Sequence, residues 1–407
     1  MPSCVLCGSS RSTPFLDLGY TPLADGFLKP QDLGQPEVHY PLSVQRCDDC
    51  LHIQLGYFVP PDVLYCNDYP YESSVTQAGR RHFGSFANSV AERFGYPKGA
   101  LAIDIGSNVG VLLKGFRESG YKVLGVEPAA NIAAIAAKQG IQTISEFFSP
   151  ELASRIVQDH GRAKVISATN VFAHIPNLHE LMDGIEILLD DDGVFVVEAP
   201  HFVHLLDSLE YDTIYHEHLS YLSLLPLVPF FERHGMALFD VTQEDIHGGS
   251  IRMFIARQSV HSVTRNVTAL MEVERSRDIH SLDNLRAFAS RVAEHRDALL
   301  GLLLSLRREG KRIAGISAPA KGMTLLNYCK IGNNIIEFLT EKSQLKIGRH
   351  TPGAHLPIKP DSALCTEEID FALILAWNFK DEIMSNLLNF KNQGGRFIIP
   401  IPAPLII

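Results

Sequence analysis

The sequence lacks an excess of basic charge. Across 407 residues, 36 Lys and Arg stand against 46 Asp and Glu, for a formal net charge of -10. A general nucleic-acid binder needs a basic footprint to displace counterions, so that class is excluded. A local basic pocket for one small anion is not. No apolar run reaches the roughly 18 residues that cross a bilayer, and no membrane partner is expected. The N-terminus, Met1-Pro2-Ser3-Cys4, has no basic stretch leading into an apolar one, so a cytoplasmic chain is the expectation. Cys numbers 7, an odd count that argues against a disulfide framework. Internal repeats and low-complexity tracts are also missing. What remains, 46% hydrophobic and 20% charged residues, is the composition of a globular chain of about two or three domains.

Three zones differ in texture. The first, to about residue 70, is rich in Pro, Gly and Cys and shows no long helical period. The second alternates short apolar runs with helical patterns, as a parallel βαβ sheet requires. Its runs are Leu101 to Ile105, Lys122 to Val126, Lys164 to Ala168 and Gly193 to Val197. A segment rich in aromatic residues and His follows (200 to 240), then a strand pair near 237 to 257. A polar helical stretch over about 262 to 309 breaks near Ser281. Alternation resumes with strand-like runs at 311–316, 335–339, 371–375 and 396–400, which predict a second, smaller open α/β sheet. The domains expected are 1–72, 73–200 and 201–407.

Cys4-Val5-Leu6-Cys7 and Cys47-Asp48-Asp49-Cys50 are two C-x-x-C knuckles. Each can place two thiolates on one metal, and together they complete a closed Cys4 zinc site with no open position for chemistry. The role expected is structural. Cys66, Cys329 and Cys365 show no partner pattern and read as core thiols.

The stretch from Asp104 through Gly106, Asn108 and Gly110 follows the first buried strand and opens a helix, Val111 to Ser119. Glu127 ends the next strand, where an acid can bind ribose hydroxyls. A dinucleotide site prefers G-x-G-x-x-G with a pyrophosphate on the helix N-terminus. Here the spacing is G-x-x-x-G, and Asp104 would repel a diphosphate. A cationic, phosphate-free ligand suits it, and S-adenosylmethionine has that chemistry.

Tyr215-His216-Glu217-His218 follows the fourth strand, and His174 lies beyond the third. Loops past strand C-termini line the crevice of an open sheet. Tyr, His and Glu together there can abstract a proton and hold the resulting anion. His216 and His218 could instead ligate a metal, but H-E-x-x-H is absent and the Cys4 knuckles already account for zinc. With 17 His in the chain, a purely hydrogen-bonded role for any single one also stands.

These residues resemble the sugar C-methyltransferases, which act on nucleotide-linked 4-keto deoxysugars. The resemblance runs through the paired knuckles, Tyr69-Pro70-Tyr71-Glu72-Ser73-Ser74 and His82, the Asp104 turn, and Val126-Glu127-Pro128-Ala129-Ala130-Asn131. It continues through Tyr215 to Ser223, His247 to Arg252, Ala318-Pro319-Ala320-Lys321-Gly322, Gly348-Arg349-His350 and Leu375 to Asn378. It implies an N-terminal zinc lobe, a central Rossmann-like methyl-donor domain and a C-terminal Rossmann-like domain. It also implies an active-site motif of Tyr215, Glu217 and His218, with His218 the general base and His174 and Tyr69, or its neighbour Tyr71, beside it. Asp104, Gly106, Asn108, Gly110, Glu127, Pro128 and Asn170 would hold S-adenosylmethionine, with Ser73 and His82 near the substrate. The implied substrate is a thymidine-diphosphate (dTDP) 4-keto deoxysugar. The helix N-terminus at Lys321 would take its diphosphate, with Arg252 and Arg349 as further candidates. The expected protein is a monomer. Val109 and Gly79 depart from the family pattern near these ligand regions. Competing classes are an O- or N-methyltransferase with the same donor, a non-catalytic scaffold and a nicotinamide oxidoreductase.

Overall fold

The computed structural model describes residues 2–65, 69–73, 77–246 and 248–407. Cys66, Ser74 and His247, singled out above, lie outside the described residues.

The N-terminal lobe is a small antiparallel sheet of β1 (Ser12–Thr21), β2 (Tyr40–Cys47) and β3 (Ile53–Leu55). The central sheet begins with β4 (Leu101–Ile105), β5 (Lys122–Val126), β6 (Thr143–Ile144), β7 (Ala163–Thr169) and β8 (Leu189–Pro200). These strands are parallel, in the order β6-β5-β4-β7-β8. Their near-continuous apolar runs are buried on both faces, as Val165, Ile166, Val194 and Phe195 show. The short β9 (Ser220–Tyr221) returns to the N-terminal lobe and pairs with β3.

The strand pair expected near 237–257 forms as β10 (Met236–Glu244) and β11 (Ser250–Arg257), antiparallel to each other. β11 pairs with β8, so this hairpin completes the seven-stranded central sheet. The boundary expected at residue 200 therefore falls inside one sheet. Two helices follow, Arg265–Ser276 and Leu282–Arg308. The break between them is set by Ser281, whose Oγ accepts from the Asn284 amide and caps the second helix.

The second α/β sheet contains β12 (Ile313–Ile316), β13 (Leu339–Glu341), β14 (Ile358–Pro360), β15 (Phe371–Ile374), β16 (Arg396–Ile399) and β17 (Leu405–Ile406). The first five are parallel, in the order β14-β13-β12-β15-β16, and β17 adds an antiparallel edge. The apolar run at 335–338 is not strand. Ile335 and Ile336 turn back onto the Gly332 carbonyl and fill the core, and β13 starts only at Leu339. Both parallel sheets reverse strand direction of winding once, between β4 and β7 and between β12 and β15. An open sheet binds its ligand at such a switch point, beyond the strand C-termini. Here the two switch points supply residues to adjoining cavities.

Candidate active site and zinc centre

At the first switch point, β4 runs into Gly106, whose φ of +68° a side chain would oppose. A Cβ there would also collide with Val171 Cγ2. Gly110, at φ +80°, then caps the helix Val111–Glu118. The turn is fastened to β5: Glu127 accepts hydrogen bonds from the Asn108 amide (3.0 Å) and the Ala129 amide (2.9 Å). Asp104 lies at the bottom and accepts from Ser167 Oγ at 2.7 Å. Burial pushes its carboxyl up to about 7, and burial raises Glu127 as well.

These groups line a cavity of about 490 Å³ with Pro128, Phe147, Asn170 and Tyr65. The carboxyls of Asp62, Asp104, Glu127 and Glu180, turn amides and apolar walls, with no Lys or Arg among the lining residues, suit a nucleoside that carries positive charge and no phosphate. S-adenosylmethionine has that chemistry. Gly110 shapes its turn without lining it.

A second cavity of about 300 Å³ adjoins the first. Tyr69, Tyr71, Ser73, Phe83, Asn170 and His174 line both. This shared wall is tied to the donor turn. Asn108 Oδ1 accepts from the Ser73 amide (2.9 Å), Asn108 Nδ2 donates to the Tyr71 carbonyl (3.1 Å), and Asn131 Nδ2 donates to the Tyr69 carbonyl (2.9 Å).

Beyond the seam the second cavity holds Tyr215, Glu217 and His218. His218 Nδ1 lies 2.7 Å from the Thr213 carbonyl. A carbonyl can only accept, so Nδ1 carries the proton and Nε2 the lone pair. The His218 ring packs on Tyr215 at 4.0 Å and on His174 at 4.9 Å between centroids. Burial, then the nearby His218, holds His174 well below the usual imidazole range, so it is neutral. Burial and the neighbouring Asp25 drive the Glu217 carboxyl upward, and Tyr69 donates to it at 2.9 Å. Burial keeps Tyr69 and Tyr215 as phenols; the one O–H of Tyr69 is held by Glu217, and that of Tyr215 can donate.

The far wall comes from the second switch point: Ser317, Lys321, Lys346 and Asn378. Lys321 begins the helix Ala320–Tyr328 beside Ala320, bonds to Asn378 and sits 4.0 Å above the Trp377 ring. Trp377 Nε1 in turn donates to the buried Asp212 at 2.7 Å.

The other expected substrate contacts lie elsewhere. Arg252 lines neither cavity, because its guanidinium is held by Glu198 (2.7 Å) and Glu244 (3.4 Å) and covers the Phe86 ring. His82 bonds the other oxygen of Glu198. Arg349 is half-buried and lines neither cavity. Three residues that the motifs did not single out do line the site. Tyr65 lies 3.4 Å from His174 Nδ1. Asp25 and Lys346 form a buried pair at 3.7 Å, contributed by different lobes. Nothing in their local spacing marks them, since each acquires its partner only through tertiary contact.

In the N-terminal lobe the four Sγ atoms of Cys4, Cys7, Cys47 and Cys50 lie within 4.8 Å of one another. Cys4 to Cys50 and Cys7 to Cys47 are each 3.5 Å. Tetrahedral zinc with Zn–S of about 2.3 Å requires sulfur separations of about 3.8 Å, so the set fits a closed structural zinc site.

Three family descriptions match along the chain in order: a zinc binding domain over 4–65, a methyltransferase domain over 80–241, and a C-methyltransferase C-terminal domain over 245–402. The C-methyltransferase NovU of Streptomyces niveus is 38% identical over 405 residues, spanning 99% of this chain and 96% of that protein. Among solved structures, magnesium protoporphyrin IX methyltransferase ChlM of Synechocystis PCC 6803 with bound SAH is 13% identical. That match covers 46% of this chain and 90% of that one, with a TM-score of 0.36. The glycopeptide N-methyltransferase MtfA complexed with S-adenosylmethionine is 11% identical, covering 43% and 93%, with a TM-score of 0.35. The 38% identity to NovU, sustained over 99% of the chain, makes the chain a member of the C-methyltransferase family.

Proposed function

We propose that the protein methylates C3 of a dTDP-linked 4-keto deoxysugar by enolate chemistry, in deoxysugar biosynthesis. The observation that carries this reading is the His218 imidazole, with Nδ1–H pinned to Thr213 and a basic Nε2, in a cavity that shares its wall with the methyl-donor site. A hydrogen beside a ketone is acidic because the carbanion left behind delocalises onto oxygen. His218 Nε2 removes the C3 proton and becomes imidazolium. The Tyr215 phenol and the Glu217 carboxyl, which Tyr69 holds by donating to it, supply donors for the developing oxyanion, with neutral His174 supporting the His218 ring. S-adenosylmethionine, when bound, supplies an electrophilic methyl group. The carbanion's electron pair would form the C3–methyl bond as the methyl–sulfur bond breaks and its pair stays on sulfur, leaving S-adenosylhomocysteine; the apolar walls of the two cavities limit the water that could quench the carbanion. Lys321 and the first amides of its helix take the diphosphate.

Incubation of a dTDP-4-keto sugar in D2O with S-adenosylhomocysteine stops the reaction before transfer. Deuterium entering at C3, read by NMR, supports the reading. Deuterium at C5, the other carbon flanking the ketone, overturns the position while keeping the chemistry. Absence of exchange, with turnover giving an O- or N-methyl product, overturns the enolate.

A further inference from the structure

The zinc lobe reaches the active-site segment through the short strand β3, while Tyr40 of β2 packs edge-on against His216 of the same segment. Cys50 is followed by Leu51, His52 and then β3. One edge of β3 pairs with β2. The other pairs with β9, Ile53 opposite Tyr221 and Gln54 opposite Ser220. The Leu55 amide donates to the Leu219 carbonyl at 2.9 Å, one residue after His218.

Both zinc knuckles converge on this strand. The Cys47 amide donates to the His52 carbonyl at 2.7 Å. From the first knuckle, the Val5 amide donates to Gln54 Oε1 at 3.0 Å, and Gln54 Nε2 donates to the Ser3 carbonyl at 3.2 Å. One amide thus bridges the chain on either side of Cys4. His52 Nε2 lies 3.1 Å from Ser220 Oγ. His52 and Gln54 are each 0% exposed. Buried polar side chains of this kind hold one geometry, because a shifted strand would leave donors and acceptors unpaired in the interior.

We propose that Gln54, with His52, is a positioning residue: it transmits the geometry of the zinc knuckles through β3 to β9 and so sets the placement of His218. The proposal rests on His218 acting as the base. It gives the four thiolates a task beyond folding their own lobe. Two residues, Leu51 and His52, separate the last cysteine from the strand that hydrogen-bonds the catalytic segment, and a misplacement of about 1 Å at a reacting group costs about a hundredfold in rate.

The test compares the zinc-loaded full chain, the same chain after chelation, and Gln54→Leu, which keeps the side-chain bulk and deletes both bonds to the knuckle. Hydrogen exchange by mass spectrometry reads residues 217–222 against β4 and the helix Val111–Glu118. Titration with S-adenosylhomocysteine reads the donor site, and kcat and KM are measured for Gln54→Leu. The expected result is faster exchange confined to 53–55 and 217–222, unchanged S-adenosylhomocysteine affinity, and a kcat about tenfold to a hundredfold lower with little change in KM. Unchanged exchange at 217–222 in both forms overturns the link. Exchange rising everywhere at once also overturns it, since zinc would then serve global folding. A loosened 217–222 with kcat unaltered overturns the positioning role through its premise, and locates the failure in the reading of His218.

Discussion

At the scale of single residues, burial decides protonation and protonation decides chemistry. Asp104 moves from an ordinary carboxyl of about 3.9 in the unfolded chain to about 7 in the fold. The folded chain then binds more protons across that interval, so Asp104 subtracts from stability progressively as pH rises from about 4 to about 7. A cationic ligand reverses the preference by holding the carboxylate. S-adenosylmethionine affinity should therefore rise as pH climbs toward 7 and level off above it, by up to tenfold per unit for one linked proton. Calorimetry at several pH values checks this. Asp104→Asn should bind more weakly and flatten the profile, leaving only the dependence from Glu127, whose carboxyl burial raises in the same direction. His218→Asn removes the basic nitrogen but lines only the substrate side. Methyl transfer and C3 exchange should both vanish while S-adenosylhomocysteine affinity is unchanged. Loss of all three would mean that His218 holds the fold or the donor rather than the proton. That the glycine turn and Glu127 would share one cavity, and Tyr215, Glu217 and His218 another, was legible in the sequence because their spacing is local, whereas His216 lines neither cavity and packs against Tyr40. Asp25, Lys346 and Tyr65 were not, because a buried ion pair between two lobes leaves no periodic trace.

At the scale of elements, apolar runs announced the strands but not their partners. The first four runs of the central sheet appear as β4, β5, β7 and β8, since a strand buried on both faces must be apolar throughout. The hairpin β10–β11 was legible as a hairpin, yet nothing in its residues tells that β11 pairs with β8, a contact set by packing far along the chain. The same limit explains Arg252. A cation after a glycine stretch resembles a phosphate ligand in sequence, whereas β11 carries it beneath Glu198 on β8. Glu198 is 1% exposed and shared by Arg252 and His82, so it joins the hairpin, the sheet and the helix Gln77–Phe94. Arg252→Met should strip a buried carboxylate of its main counter-charge and cost about 3 to 5 kcal/mol of stability. Chemical denaturation measures this, and thymidine diphosphate affinity should stay as it was. A lost thymidine diphosphate affinity at undiminished stability would return Arg252 to the ligand.

At the scale of the whole molecule, the two cavities meet across one wall. Tyr69, Tyr71 and Ser73 face both cavities, and Asn108 and Asn131 beside the donor turn hold their backbone. Whatever orders the donor turn orders the wall of the substrate cavity, so the second ligand meets a surface whose conformational cost has already been met. S-adenosylhomocysteine should therefore tighten thymidine diphosphate binding. Thermodynamic linkage requires thymidine diphosphate to tighten S-adenosylhomocysteine by the same factor, within the range of about 5 to 150 typical of coupled sites. Calorimetric titration of each ligand, with and without saturating amounts of the other, gives both factors and tests their equality. Asn108→Ala deletes the side-chain bonds to Tyr71 and Ser73 but leaves the Asn108 amide on Glu127. It should shrink the coupling in both directions at once, with thymidine diphosphate affinity for the donor-free protein little changed. Independent binding in the unaltered chain would mean that the wall is rigid before either ligand arrives. The seam would then be a preformed passage for the methyl group rather than a surface that the donor completes.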